Sequence, residues 1–325
     1  MRLRRVSAAA RRMCVAACAA HDVSTTTLCV VDAHNLAFRY FYGIKPLDAP
    51  DGTPVHVVLA ACNRMLRMQQ EYPNARLILA FDEGQSEYRN TIQPNYKDGR
   101  PKAPPSFYSQ ISIMKTAANC LGVPTISIPG IEADDIIARI VQQATEDGIQ
   151  KVVISSTDKD LLQLVTGADA RTTVVTMFNE RKKVELYESD VFEQHGVYPQ
   201  QMADMLALAG DSSDNVVGVP GIGPKTAAKL LSEHGDVEGI LQAAETQEKT
   251  IKPKMREKLL EHSNLIRKNM KLVDLTSGWV EVDIAANELR GESIPDPSSL
   301  EHKLRPFLRA YGFKQLERRL YPNKR

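Results

Sequence analysis

The sequence has no apolar run long enough to cross a membrane, and its five cysteines include no C-x-x-C pair. A membrane-spanning helix needs about 20 consecutive apolar residues, so no span is predicted. Scattered cysteines are typical of a reducing compartment and exclude both a paired-cysteine zinc site and a disulfide framework. The chain also lacks a G-x-x-x-x-G-K-[ST] P-loop, which argues against ATP as a substrate.

Charge is almost balanced, at +1 over 325 residues, but it is unevenly distributed. Residues 1–21 contain five arginines and no acidic residue, and without them 36 basic residues face 40 acidic ones. An N-terminus rich in Arg and Ala is typical of an organellar transit peptide. We therefore expect residues 1–27 to be a targeting leader, most consistent with mitochondrial import. An untargeted tail on a cytoplasmic or nuclear protein, or a secretion signal, remains the alternative.

Apolar runs that end in aspartate recur through the first half of the chain. They are Leu28–Asp32, Ala75–Asp82 and Lys151–Asp158, with helical patterns between them at Val55–Gln70 and Ser106–Leu121. Strands that alternate with helices predict an α/β fold, a mostly parallel sheet flanked by helices. Sites in such sheets form at the carboxyl ends of the strands, where these aspartates would lie.

Acidic residues at these and two further positions form a candidate metal site. The nine candidates are Asp32, Asp82, Glu132, Asp134, Asp135, Asp158, Asp160, Asp211 and Asp214. Helix capping could explain one acid near position 132, but three acids within four residues favour a site. Lys159 is the only basic residue within these motifs, so burying the acids without cations would cost several kcal/mol each. Ligands that are all oxygen favour two Mg²⁺ or Mn²⁺ ions, which suit phosphodiester hydrolysis.

Two other segments carry groups that bind nucleic acid. Gly221-Ile-Gly223-Pro-Lys225-Thr226 opens a helical run, and a glycine-rich turn before a helix exposes backbone N–H groups to a phosphate. Residues 83–105 contain many prolines and glycines, which predict a loop or a mobile arch. That segment also contains Tyr88, Arg89, Tyr96, Lys97 and Arg100, which could pair with phosphates and stack on bases. A solvated surface loop is the alternative.

The second half of the sequence is mainly helical. Helices are predicted at Met202–Ala209, Thr226–His234 and Lys252–Lys271, the last one basic and amphipathic. We expect a core over residues 28–195, with the arch at 83–105, then a helical subdomain over 196–290 and a C-terminal tail over 291–325.

Several of these motifs, taken together, resemble the 5′-nuclease family. Leu-Ala-Gly-Asp211-Ser-Ser-Asp214-Asn and Gly-Val-Pro-Gly221-Ile-Gly223-Pro-Lys-Thr-Ala are similar to the 5′→3′ exonuclease domain of bacterial DNA polymerase I, to phage 5′-exonucleases and to flap endonucleases. Further matching motifs occur in order at Val-Val-Asp32, Ala-Phe-Asp82, Ile-Glu132-Ala-Asp134-Asp135 and Ser-Thr-Asp158-Lys-Asp160. The resemblance covers roughly residues 28–320 and implies a PIN/resolvase-like nuclease core with a helix–hairpin–helix subdomain.

The resemblance also implies a role for each candidate residue. Asp32, Asp82, Glu132 and Asp134 correspond to a first metal set, Asp158, Asp160 and Asp214 to a second, and Asp135 and Asp211 to outer-shell or water-mediated partners. Lys97 and Arg100 correspond to arch residues that contact the scissile phosphate, and Tyr96 to one that stacks on a terminal base. Residues 218–225, with Gly221, Gly223, Lys225 and Thr226, correspond to a hairpin that holds duplex phosphates with a K⁺ ion.

The resulting expectation is a monomeric, Mg²⁺-dependent, structure-specific 5′ nuclease of DNA replication and repair. It would act on DNA branches, flaps or nicks, and on RNA/DNA hybrids if it removes primers. No polymerase sequence follows, so we expect a stand-alone nuclease. The alternatives are a PIN-type single-strand ribonuclease and a non-catalytic DNA-binding protein. Exonuclease, flap endonuclease and ribonuclease H activities remain open.

Overall fold

One six-stranded sheet forms the centre of a computed structural model that describes residues 27–167, 172–277 and 295–322. Its strands are β1 Thr27–Asp32, β2 Arg76–Phe81, β3 Thr125–Ser127, β4 Lys151–Ser156, β5 Val174–Asn179 and β6 Val184–Leu186. The strand order is β3-β2-β1-β4-β5-β6, and every neighbouring pair is parallel except β5 and β6. The predicted mostly parallel sheet is confirmed. The predicted leader lies outside the described residues, apart from Thr27.

The strand order places a crevice at the carboxyl ends of β1 and β4. β1 lies between β2 and β4, so the chain builds the sheet outwards in one direction and then in the other. Ligands of open α/β sheets bind where the order reverses in this way. Asp32 is the last residue of β1, and Asp82 directly follows β2. Asp158 lies two residues beyond β4, so the three aspartates share this edge.

Helices cover both faces of the sheet and continue into a helical second half. Their bounds are α1 Ala33–Gly43, α2 His56–Glu71, α3 Glu87–Ile92, α4 Pro105–Cys120, α5 Ala133–Glu146, α6 Glu188–His195, α7 Met202–Ala209, α8 Pro224–His234, α9 Val237–Glu245, α10 Pro253–Glu261, α11 Ser263–Val273, α12 Glu301–Ala310 and α13 Lys314–Leu320. A short hairpin of β7 Gly210–Asp211 and β8 Val216–Val217 lies between α7 and α8. Within the described residues, no helix has the length and apolar character that crossing a membrane requires.

Alternating side chains of the central strand fill two apolar cores. Leu28 and Val30 of β1 pack on the face covered by α5 and by the helices α7 to α11. Cys29 and Val31 pack on the opposite face, against α1, α2, α4, α12 and α13. Burial on both faces explains why β1 reads as a continuous apolar run. Each fully buried Leu, Ile or Val side chain contributes about 1.5–3 kcal/mol of transfer free energy, so the edge that presents Asp32 is firmly held.

One prediction about the second half was wrong. The single helix predicted for Lys252–Lys271 is two helices, because α10 ends at Glu261 and α11 begins at Ser263. α10 packs against α9 whereas α11 packs against α7, and one straight helix could not contact both.

The predicted C-terminal tail contains helices that pack on the core. Within it, α12 and α13 are folded, with Leu304, Phe307, Leu308 and Leu316 buried against the sheet face that α4 covers. Apolar residues at helical spacing in this segment explain the packing, since burying that stripe stabilises the helices.

Candidate active site

Asp32 occupies the centre of the carboxyl edge and is almost fully buried. It is the N-cap of α1, and its Oδ1 accepts a hydrogen bond from the backbone N–H of Asn35 at 3.0 Å. The Ser156 hydroxyl at the end of β4 donates to Oδ2 at 2.9 Å. Burial, with further contributions from the charges of Asp82 and Asp158, raises the pKa of Asp32 to about 7. The folded chain therefore holds a carboxyl group where negative charge is unfavourable.

Asp134, in the first turn of α5, shares that environment. Burial raises the pKa of Asp134 well above its usual range, and the charges of Asp158 and Asp32 add to the effect. Asp82 ties the same turn to β2, because its Oδ1 accepts a hydrogen bond from the backbone N–H of Ala133 at 2.8 Å. Strands β1, β2 and β4 and helix α5 thus bring four predicted ligands into one group.

Asp160 extends the group along the chain from β4. Its backbone N–H donates to Oδ1 of Asp158 at 3.1 Å, which fixes the turn between the two acids. Burial, then the charge of Asp158, raises the pKa of Asp160 to about 8. Its Oδ1 is buried and accepts no hydrogen bond. A buried oxygen without a partner indicates that a ligand position is open there.

Asp214 lies on the hairpin that joins β7 to β8 and differs from these acids in having cationic partners. The Tyr96 hydroxyl donates to its Oδ2 at 2.7 Å, and the Arg100 guanidinium pairs with Oδ1. The ammonium of Lys97 lies 3.5 Å from Oδ2. Burial opposes ionisation of Asp214, but the charges of Lys97 and Arg100 outweigh it and lower the pKa of the carboxyl.

Glu132, Asp135 and Asp211 are also paired with basic side chains. Lys97 Nζ lies 2.6 Å from Oε1 of Glu132, and Arg89 Nη1 lies 2.9 Å from Oε2 of the same residue. Arg89 holds both oxygens of Asp135, at 2.6 and 2.8 Å. Lys159 lies 3.0 Å from Oδ2 of Asp211.

These pairs correct the expectation that Lys159 is the only basic residue among the acids. Arg89, Lys97 and Arg100 come from residues 83–105, which fold over the carboxyl edge. Within the described residues, no three carboxylate, imidazole or thiol groups lie close enough together to hold a metal ion as they stand. The outer acids face cationic side chains, and the inner group of Asp32, Asp134, Asp158 and Asp160 is left without enough positive charge.

Residues 83–105 are more ordered than the predicted loop or mobile arch. α3 forms near their start, and Arg89 and Tyr96 are 2% and 6% exposed. Tyr96, predicted to stack on a terminal base, instead has its ring buried and its hydroxyl on Asp214. The backbone N–H of Lys97 donates to the carbonyl of Asp214 at 3.1 Å, with Lys97 at a φ of 57°. The acids draw this segment inwards because they supply hydrogen-bond acceptors and counter-charge for its polar groups.

The predicted phosphate-binding turn follows the acidic hairpin directly. Gly218 is required at its start, since a Cβ there would lie 2.2 Å from the carbonyl carbon of Ala209. Gly221 has a φ of +83°, which L side chains rarely adopt. Gly223 is the N-cap of α8, with Lys225 exposed and Thr226 half-buried in the first turn. The turn thus presents the positive end of an eleven-residue helix, as phosphate binding requires.

Two residues at the site have contacts that the sequence analysis did not predict. His34 lies beside Asp82: its Nδ1 accepts a hydrogen bond from the backbone N–H of Asp82 at 3.1 Å and lies 3.3 Å from Oδ2 of the same residue. Burial lowers the pKa of His34. Its position two residues after Asp32, at the start of a helix, was the available signal. Arg89 gave no such signal, because its partners Glu132 and Asp135 are more than 40 residues away.

Comparisons with known proteins agree with this architecture. A family model described as "5′-3′ exonuclease, N-terminal resolvase-like domain" matches residues 27–196. A second, "5′-3′ exonuclease, C-terminal SAM fold", matches residues 197–296. Together the two matches cover the sheet, the acidic hairpin and most of the helical second half.

Individual relatives give the same picture. The 5′-3′ exonuclease of Aquifex aeolicus is 33% identical over 279 residues, which cover 86% of this chain and 91% of that protein. DNA polymerase I of Rhizobium leguminosarum is 35% identical over 302 residues, or 90% of this chain but 28% of the polymerase. A solved structure of T5 5′-exonuclease with bound divalent metal ions (zinc) is 25% identical, with a TM-score of 0.66 over 88% of this chain and 99% of that one.

Both family models fit consecutive parts of the chain, and the Aquifex relative is matched over nearly its whole length. The chain therefore belongs to the 5′-3′ exonuclease family, whose members are nucleases that hydrolyse phosphodiester bonds.

Proposed function

We propose that the chain is a Mg²⁺-dependent, structure-specific 5′ nuclease that cleaves branched, flapped or nicked DNA with two divalent ions. One observation carries the proposal: buried carboxyl groups gather at the carboxyl edge of the sheet without enough side-chain cations to balance them. Burial and mutual repulsion raise the pKa of Asp32, Asp134 and Asp160. Divalent cations would remove the repulsion that the protein's own lysines and arginines leave.

The available ligands fit Mg²⁺. The inner group offers oxygen atoms, and Oδ1 of Asp160 is buried without a hydrogen-bond partner. Hard oxygen ligands favour Mg²⁺, with Mn²⁺ as a substitute. Asp32, Asp82, Glu132 and Asp134 would hold one ion, and Asp158, Asp160 and Asp214 the other. Asp135 and Asp211 would act through water or neighbouring side chains. When bound, such ions lower the pKa of the attacking water and stabilise the leaving oxygen.

Lys97 and Arg100 would supply donors to the phosphate itself. In the structure each contacts an acid that would bind an ion: Lys97 contacts Glu132, and Arg100 contacts Asp214. If those acids held cations, the two side chains would be free to donate to a phosphate at the acidic edge. Arg100 is half exposed, so it reaches solvent without moving the core. Tyr96 would leave Asp214 in the same rearrangement and become available to a base.

The helix–hairpin–helix would hold the duplex at a second point. Gly221, Gly223, Lys225 and Thr226 lie at the positive end of α8, where a backbone phosphate fits. A K⁺ ion at the hairpin carbonyls is part of the proposal. Lys258 already donates to the carbonyl of Pro220 at 3.0 Å, so this carbonyl has a cation of the chain's own. Binding to duplex DNA at this second point distinguishes the proposed 5′ nuclease from a single-strand ribonuclease.

The test uses the purified chain and five labelled substrates: a 5′ flap, a nicked duplex, a hairpin, an RNA-primed duplex and single-stranded RNA. Each is incubated with Mg²⁺, with Mn²⁺ and with EDTA. We expect cleavage of the flap and nicked DNA only with a divalent ion, leaving a 5′-phosphate and a 3′-hydroxyl. Cleavage confined to single-stranded RNA would instead indicate a PIN-type ribonuclease. DNA binding without cleavage would indicate a non-catalytic protein.

A further inference from the structure

We propose that Arg89 is a positioning residue: it fixes one oxygen of Glu132 so that the other is presented to a divalent ion. This role rests on the proposed metal-dependent function. Arg89 is placed by its contacts at the meeting point of α3, the start of α5 and the end of α11. The proposed metal ligand that it holds is Glu132, so it would act through that residue.

The contacts of Arg89 use its guanidinium on several sides. Nε donates to the carbonyl of Leu272 at 2.7 Å, and Nη1 donates to Oε2 of Glu132 at 2.9 Å. Nη1 and Nη2 also donate to the two oxygens of Asp135, at 2.6 and 2.8 Å. The side chain is 3% exposed, so these bonds are shielded from water. The planar fork is therefore held in one orientation.

Glu132 has two oxygens with unlike partners. Oε2 is bound to the buried Arg89, whereas Oε1 is bound to Lys97 at 2.6 Å. The Lys97 side chain is 19% exposed and belongs to the turn at 95–100, which the helices of the core do not enclose. A divalent ion can therefore displace Lys97 from Oε1 and leave the bond to Arg89 intact. Arg89 is the lasting partner of Glu132 and Lys97 the exchangeable one.

Asp135 then becomes the counter-ion of Arg89 and not a metal ligand. Both of its oxygens are taken by Arg89, and its side chain is 1% exposed. Because the Arg89–Asp135 pair is neutral overall, Glu132 keeps its charge for the ion. A lysine could not replace Arg89, since an ammonium cannot reach the Leu272 carbonyl, Glu132 and both oxygens of Asp135 in one plane.

The experiment measures Mn²⁺ binding directly, by electron paramagnetic resonance of free Mn²⁺, in the wild-type chain and its variants. Loss of a group that orients a metal ligand typically weakens metal affinity about 10–100-fold. We expect Arg89→Met to weaken Mn²⁺ binding at least about 10-fold. Arg89→Lys, which restores charge but not geometry, should stay within about threefold of Arg89→Met.

Arg64→Met is the matched control. Arg64 is as buried as Arg89, with 2% of its side chain exposed, and it pairs with Glu180 and Glu71, neither of which is one of the nine candidate acids. Arg64→Met should lower the melting temperature, as we also expect of Arg89→Met, but should leave Mn²⁺ affinity within about twofold of wild type. Asp135→Asn keeps an oxygen acceptor for Arg89 but removes its counter-charge, so it should weaken Mn²⁺ binding less than Asp134→Asn, which removes a proposed ligand.

Four results would overturn the assignment. Wild-type Mn²⁺ affinity in folded Arg89→Met would make Arg89 a purely structural residue. Recovery of wild-type affinity by Arg89→Lys would show that charge alone matters, and this variant decides the matter if Arg89→Met does not fold. An effect of Asp135→Asn as large as that of Asp134→Asn would make Asp135 a ligand. Absence of Mn²⁺ binding by the wild-type chain would refute the proposed function itself, and this role with it.

Discussion

The carboxyl groups of the site differ in the charges that surround them. Glu132, Asp135, Asp211 and Asp214 have basic partners, whereas burial and like charges dominate around Asp32, Asp134 and Asp160. The first kind contributes an ion pair to the folded state. The second kind weakens the fold unless a proton or a cation arrives. Substitutions of the two kinds should therefore have opposite consequences for stability.

Asp158→Asn tests the inner group. The amide retains an oxygen to accept the Asp160 N–H, so the turn after β4 should persist. We expect loss of a charged metal ligand to lower the single-turnover cleavage rate by roughly 10²–10⁴-fold. The melting temperature without metal should stay equal or rise, because a repulsive charge is removed. Asp204→Asn is the control for removing a buried acid elsewhere. Cleavage within tenfold of wild type would contradict the site assignment.

Asp204 itself gives a prediction of pH dependence. It lies in α7, accepts a hydrogen bond from the backbone N–H of Val237 at 2.9 Å, and has a pKa raised to about 6, chiefly by burial. Since an unfolded aspartate has a pKa of about 3.9, the folded state binds more protons between these values. Stability from this residue is therefore lost as pH rises from about 4 to about 6.

Asp204→Asn should remove that loss. We expect the variant to match wild type at pH 4 and to exceed it by about 1–2 kcal/mol at pH 7, the full shift being reduced by the favourable N-terminus of α9. Denaturant unfolding at both pH values measures the difference. A stability gap that does not change with pH would show that Asp204 is not protonated in the folded chain.

At the scale of elements, the turn at 95–100 and the hairpin at 218–223 differ in what holds them. Besides the Lys97 N–H on the carbonyl of Asp214, the turn is held by charged side chains on Glu132 and Asp214, whereas the hairpin has backbone contacts such as the Ile222 N–H on the carbonyl of Val219 at 2.9 Å. Charged contacts can be exchanged for cations or phosphates, whereas backbone contacts persist. We therefore expect the turn to rearrange with substrate and the hairpin to remain rigid.

Lys97→Ala distinguishes catalysis from binding at the turn. If Lys97 leaves Glu132 to stabilise charge on the phosphate, its loss should lower the single-turnover rate at saturating enzyme while affinity changes little. If it only adds to a basic surface, affinity should fall, the salt slope should drop by about one unit, and the rate should hold. We expect the first outcome. A rate within about threefold of wild type, roughly 0.6 kcal/mol, would contradict it.

Gly221→Ala and Gly223→Ala form a matched pair at the hairpin. Gly221 has a φ of +83° and a Cβ there would lie 2.9 Å from Lys258 Nζ, so we expect a loss of about 1–2 kcal/mol in unfolding free energy. Gly223 has a φ of −98° and open space around its Cβ. Gly223→Ala should leave the melting temperature unchanged but weaken duplex binding, because the added methyl group would keep a phosphate away from the backbone N–H groups.

Filter binding to a duplex and to a short single strand measures this second effect. Weaker binding to the duplex alone would fit a phosphate at the hairpin. Unchanged duplex affinity in Gly223→Ala would place the phosphate elsewhere.

At the scale of the whole molecule, one chain joins a sheet that carries acids to a helical half that carries the hairpin. Asp211 and Asp214 lie between the two halves, on the β7–β8 hairpin. Arg89 connects the halves a second time, because it donates to the carbonyl of Leu272. The family matches change from the N-terminal to the C-terminal type between residues 196 and 197. A substrate that contacts both halves would bridge the acidic edge and the end of α8.

The N-terminal 27 residues give a separate prediction about the whole protein. Five arginines without an acid among the first 21 residues suit an import signal. Fusing residues 1–27 to a fluorescent reporter should direct it to an organelle, and we propose mitochondria. The same fusion with the five arginines changed to glutamine should stay diffuse. A diffuse signal from the unchanged fusion would refute the targeting prediction.

Three strands of the sheet, its acidic edge and the glycine-rich hairpin could be predicted from the sequence. Apolar runs ending in aspartate indicated β1, β2 and β4, because buried parallel strands need side chains that suit both faces. The turn at Gly221 could be predicted equally well, because local backbone conformation depends on residues that are neighbours in the chain. These features rest on contacts or patterns within a few residues, which a sequence displays directly.

Which acids have basic partners depends on contacts between distant parts of the chain, and these become apparent only in the folded protein. Lys97 meets Glu132 across 35 residues, and Tyr96 meets Asp214 across 118. Arg89 lies in a segment whose prolines and glycines are typical of a surface loop. It is nevertheless buried against Glu132, Asp135 and Leu272. Such contacts depend on how whole elements pack, and charge counted within a motif cannot reveal a counter-charge that arrives from elsewhere in the chain.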